Sequence, residues 1–112
     1  MDLDSIADEL GVYDHGSEHD DVIDSIARGG EYLADAISSV SIAERDYRQW
    51  RGKTTIELLA LDPKLAEWKV KAHVDGDVQF KTFKTELATR QLHVDTLRGF
   101  LDALKMRAAS YE

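Results

Sequence analysis

The chain has 112 residues, enough for one small domain, and its 43% hydrophobic and 32% charged content fits amphipathic helices better than a thick two-layer core. It has no cysteine, which excludes disulfides, thiolate zinc sites and cysteine nucleophiles. The formal net charge of −8 is unevenly distributed: residues 1–44 carry twelve acids and one base, Arg28, while residues 45–112 carry ten acids and thirteen bases.

That division predicts an acidic interaction or regulatory arm joined to a mildly basic working part; the plainer alternative is that the acids only keep the first half soluble. No apolar run approaches the roughly 18 residues of a membrane span, and the acidic start is unlike a signal peptide. The expectation is a soluble, cytoplasmic protein with no membrane partner.

In chain order, LDSIADEL places Leu3, Ile6, Ala7 and Leu10 at helical spacing, with Gly11 as a C-cap. The following VYDHGSEHDD reads as a solvated linker. Residues 1–19 therefore form a short acidic helix and linker, and residues 20–112 the main domain. His15 and His19 stand four apart, a spacing that suits a metal on a helix, yet no third ligand accompanies them, and no metal or other cofactor is expected.

From Val22 a heptad pattern sets in. Ile26, Leu33, Val40 and Tyr47 repeat every seven residues, with Val22, Gly29, Ala36, Ala43 and Trp50 between them. The pattern predicts a helix from about Asp20 to Gly52, ended by that glycine. Asp62-Pro63 then reads as a cap followed by a first helical residue. Between Trp68 and Phe80 two readings stay open. Trp68, Val70, Ala72 and Val74 alternate as a strand would, with Asp75-Gly76 as a hairpin turn; alternatively, a helix breaks there and another restarts with Asp75 or Asp77 as cap.

The last segment predicts a long helix. Phe80, Leu87, Val94, Leu101 and Ala108 repeat at seven, as do Phe83, Arg90, Leu97, Leu104 and Tyr111. The expected fold is all-α: long amphipathic helices with heptad-like seams, a helical hairpin or bundle assembling into an oligomer through Phe80, Phe83, Leu87, Val94, Leu97, Leu101 and Leu104. The alternative is a monomer that covers both seams itself.

Within this acidic chain, RDYRQWRGK is a basic and aromatic knot. On a helix Arg45, Arg48 and Arg51 form a row beside Tyr47 and Trp50, with Lys53 following and Lys64, Lys69 and Lys71 downstream. Cations that neutralise phosphates, beside aromatic faces that accept unstacked bases, are what single-stranded nucleic acid requires. The competing reading makes Tyr47 and Trp50 core and the arginines a solvated rim. No phosphate-binding glycine loop, G-x-S-x-G or H-E-x-x-H is present, so a non-enzymatic protein is expected.

The order of LDSIADEL, AERDYRQWRGK, AEWKVKAHVDGDVQFKTFKTEL and VDTLRGFLDALKMRA resembles the UvsY-type recombination mediators of tailed phages. The resemblance implies a helical, ring-forming homo-oligomer that binds single-stranded DNA. It would help a RecA-like recombinase displace the single-strand-binding protein in the phage-infected cell. It also implies helix over residues 68–74, and on the DNA-binding side it matches Arg45, Tyr47, Arg51 and Lys53 best. The chain departs from such mediators in its acidity. A different class of reading remains: a small phage inhibitor, adaptor or DNA mimic acting through the acidic N-terminal half.

Overall fold

The computed structural model describes residues 1–14 and 18–110. The protein is all-α: α1 (Leu3–Leu10), α2 (His19–Leu61), α3 (Glu67–Asp75) and α4 (Val78–Ala109), with no strand among the described residues. It divides into two compact units, residues 1–38 with 90–112, and residues 39–89.

In the first unit, α1 is capped at both ends by its own sequence. The Asp2 carboxylate accepts from the Ser5 hydroxyl at 2.7 Å and the Ser5 N–H at 3.2 Å, which holds its pKa below the ordinary value. Gly11 takes the left-handed conformation, φ 64°, and its N–H donates back to the last turn. Ile6, Ala7 and Leu10 face inward, and Val12 is buried too, although the linker reading leaves it in solvent. Arg107 explains the difference. Its guanidinium donates to the Gly11 carbonyl at 2.7 Å and to the Val12 carbonyl at 2.5 Å, drawing this turn onto α4. α2 starts at His19, one residue before the expected Asp20, and Asp20 and Asp21 lie in its first turn, where the two acids suit the helix N-terminus. His15 lies outside the described residues, as does Tyr111.

The core of this unit joins Val22, Ser25 and Ala36 of α2 to Val94, Leu97, Leu101, Leu104 and Ala108 of α4. Gly29 sits where the three helices converge. A Cβ built there would lie 2.7 Å from Leu101 Cδ2 and 3.4 Å from Leu10 Cδ1. Arg28 and Tyr32 both donate to the Glu9 carboxylate and tie α1 to α2 at the surface. The hydrogen bond to Glu9 raises the Tyr32 pKa.

The second unit contains the C-terminal part of α2, α3 and the N-terminal part of α4. Here the expected boundaries change. α2 continues through Gly52 to Leu61, so Lys53 and Thr54 are helical, not on a loop. One helical glycine costs about 1 kcal/mol relative to alanine, and the strong helix formers of IELLAL carry the helix past it. Pro63 ends it, because proline disfavours helical backbone in the residue before it. Asp62 does not cap α3. Its carboxylate accepts from the Lys64 N–H at 3.2 Å, and its carbonyl from the Leu65 N–H at 3.1 Å. Pro63 thus occupies the second position of a turn, and α3 starts at Glu67 after an extended Ala66.

The strand-like alternation from Trp68 to Val74 belongs to a helix. Val70 and Val74, four apart, are buried, whereas Trp68 and Ala72 face outward. Asp75 is still helical and Gly76 has φ −85°, so the paired positive φ values of a tight hairpin turn are absent. Asp77 caps α4, its carboxylate accepting from the Gln79 N–H at 2.8 Å.

Gly29 and Gly30 are adjacent yet differ in what surrounds them, since nothing lies within 4 Å of a Cβ at Gly30. Gly30→Ala should stabilise the protein by up to about 1 kcal/mol. Gly29→Val should destabilise it by about 1–3 kcal/mol through overpacking. Urea unfolding followed by circular dichroism checks both; equal effects at the two positions would contradict the helix packing described.

Candidate functional site

The basic and aromatic segment lies in the second unit, and the structure divides its residues between two tasks. Tyr47 and Trp50 turn inward and join Phe80 and Phe83 of α4. Ring centroids lie 6.2 Å apart for Tyr47–Trp50 and Tyr47–Phe80, 6.0 Å for Tyr47–Phe83 and 5.3 Å for Trp50–Phe83. These rings pack α2 on α4 and are only half-exposed, so neither is a free platform for a base. The Lys84 ammonium lies 4.8 Å from the Tyr47 ring centroid and adds a cation–π contact.

The cations of the segment point in different directions. Arg51 donates to the Tyr47 hydroxyl at 3.0 Å and to the Asp75 carboxylate at 3.2 Å, bridging α2 and α3. The hydrogen bond to Asp75 raises its pKa; partial burial opposes this and the Tyr47 contact adds to it. The guanidinium therefore stays charged and is held in one place. Arg45 pairs with Asp46 at 3.3 Å and remains exposed, as does Arg48. At 100° per residue Lys53 stands about 200° round the helix from Arg51, so it does not join that row. It lies instead 4.0 Å from Glu57.

What Arg51 does line is a groove of about 600 Å³ between α2 and α3, together with Thr55, Glu67, Trp68, Val70 and Lys71. Trp68 is the exceptional member. It is 69% exposed, in a unit that turns its other large rings inward. Its position follows from the helix: with Val70 and Val74 as the buried pair, residue 68 must face outward. On its other side is a shallower depression with Lys69, Ala72 and His73, and the Lys69 ammonium lies 5.5 Å from the Trp68 ring centroid. An exposed indole is thus flanked by Lys69 on one side and by Lys71 and Arg51 on the other.

Sequence reasoning picked out Lys69 and Lys71 but passed over Trp68, which the alternating pattern presents as an apolar strand residue. The available signal was a tryptophan followed by lysines at the next and third positions, out of step with a Val-x-x-x-Val pair. The expected oligomerisation residues lie elsewhere. Val94, Leu97, Leu101 and Leu104 are buried inside the first unit, and Phe80, Phe83 and Leu87 are half-buried in the second. Within one chain the seam is thus fully covered at Val94, Leu97, Leu101 and Leu104 and partly covered at Phe80, Phe83 and Leu87.

Charge follows the units. Residues 39–89 hold nine bases and eight acids, whereas the first unit holds fourteen acids and five bases. Among the described residues, no group of three or more histidines or acids is placed to hold a metal ion, and no helix is long and apolar enough to cross a membrane. Comparison with family models, curated proteins and solved structures finds no match for this chain.

The two tryptophans should be separable by fluorescence. Trp68→Phe is expected to shift the remaining Trp50 emission to the blue and lower its acrylamide quenching slope by roughly half, while Trp50→Phe does the reverse. Equal quenching of the two variants would contradict the burial of Trp50 in the ring cluster.

Proposed function

We propose that the protein is a non-catalytic binder of single-stranded DNA whose contact surface is the α3 side of the second unit. The observation that carries this reading is Trp68, exposed and flanked by Lys69, Lys71 and Arg51. A base stacks on the indole face, and the cations neutralise the phosphates on either side. Arg48 and Arg45 extend the cationic row along α2. Tyr47 and Trp50 act indirectly, by fixing α2 on α4, and Lys53 lies outside the contact.

The sequence resemblance to UvsY-type mediators carries the proposal further. In that role the protein binds single-stranded DNA in the cytoplasm as a homo-oligomer and helps a RecA-like recombinase replace the single-strand-binding protein. Near-neutral charge in residues 39–89 makes each site weak, and several sites on one strand would compensate through effective concentration. A second reading, a protein-interaction module or DNA mimic, is favoured by one observation: the fourteen acids of the first unit against five bases.

Fluorescence anisotropy of a labelled oligo(dT) across a salt series distinguishes them. The wild-type protein should bind, and more weakly as salt rises. Trp68→Ala should lose about 1–3 kcal/mol of binding free energy. An Arg48, Lys69 and Lys71 to alanine variant should bind more weakly with a shallower slope, by about 0.7 per lost phosphate contact. If the wild-type protein fails to bind at low salt, the nucleic-acid reading is wrong and the acidic unit becomes the candidate.

A further inference from the structure

The outer face of α2 in the first unit carries an apolar strip that the chain leaves uncovered. Ile23, Ala27, Gly30, Ala34 and Ile37 are all exposed and follow one another at spacings of three and four. They occupy an arc of about 80° on the helix. On one side the strip runs into the half-buried Ile26 and Leu33. On the other it is bordered by Asp20, Asp24, Glu31 and Asp35, all exposed and within the next arc of about 80°. Its centre is low, since Gly30 has no side chain, Ala27 and Ala34 beside it have small ones, and nothing beyond the local helix backbone lies within 4 Å of a Cβ at Gly30. A second helix laid there can approach to the short end of interhelical distances, about 8 Å.

Charge selects the occupant. The acidic border, in a unit with fourteen acids and five bases, repels a second copy of the same face. Arg28, the base nearest the strip on α2, is already paired with Glu9 at 3.3 Å. We infer that this face of α2 docks a cationic amphipathic helix of another protein, whose apolar ridge lies on Ile23, Gly30 and Ile37 and whose lysines or arginines meet Asp20, Asp24, Glu31 and Asp35. The mode is helix-on-face recognition, with anchors at heptad spacing. The site rests on α2 of the first unit and is independent of the DNA-binding proposal.

The test uses the full chain and a fluorescent peptide of about four turns, with leucines at heptad a and d positions and lysines elsewhere. A scrambled peptide of the same composition and a glutamate-for-lysine version serve as controls. The amphipathic cationic peptide should bind, and each control should bind at least about tenfold more weakly. Gly30→Gln with Ala34→Gln, at exposed positions that leave the core alone, should weaken binding by about tenfold. An Asp24→Asn, Glu31→Gln and Asp35→Asn variant should lose most of the salt dependence. Circular dichroism and urea unfolding verify that both variants fold. Equal binding of the scrambled peptide, no binding at all, or unchanged binding by the glutamine variant overturns the proposal. So does sedimentation showing that the wild type self-associates and the glutamine variant does not, because the occupant is then a second copy.

Discussion

Four aromatic rings set the terms for the second unit. Tyr47 and Trp50 enter from α2, Phe80 and Phe83 from α4, with every paired centroid within 6.2 Å. Such pairs contribute about 0.5–1.5 kcal/mol each beyond the area they bury. Few aliphatic side chains support them, since Ala43, Val70 and Val74 are the fully buried apolar residues of this unit. The cluster therefore fixes which face of α2 is inside. It commits Tyr47 and Trp50 to packing and holds the tyrosine hydroxyl where Arg51 can reach it. Arg51 in turn bridges to Asp75, so α3 stands beside α2 with Trp68 turned outward. The exposed ring depends on the packed ones.

The helices of the fold were readable because their signals are local and repetitive. The heptads around Ile26 and Leu97 and the Gly11 cap each follow from a few residues of pattern. What escaped was decided by competition between local signals. Gly52 reads as a stop, yet the strong helix formers after it prevail. Asp62-Pro63 reads as a helix start, yet the aspartate is drawn into a turn. Trp68 to Val74 satisfies periods of two and of nearly four together, and only the burial of Val70 and Val74 chooses between them. The candidate site was half legible for the same reason. Clustered charge is visible in a sequence, but the direction an aromatic side chain faces depends on which residues around it are buried. So Lys69 and Lys71 could be found, while for Tyr47 and Trp50 base stacking and core packing both stay open in the sequence, and the exposed ring is Trp68.

Partition of charge between the units gives the acidity a structural address. The acids concentrated in residues 1–38 stay in one unit with α1 and the last part of α4, while the arginine row and the lysines of α3 belong to the other. A polyanion ligand and a polycation ligand thus have different compact bodies to recognise on one chain. Mean net charge describes neither.

The Arg107 clamp joins groups separated by 96 and 95 positions in the chain. The first unit is therefore discontinuous, whereas residues 39–89 form an uninterrupted stretch. During synthesis on a ribosome, α1 is made well before α4 and cannot rest on it until that helix follows. The second unit has all its contacts in hand much earlier. Assembly is then ordered from the middle of these residues outward, with Ile6 and Leu10 left in the nascent state as apolar side chains awaiting α4.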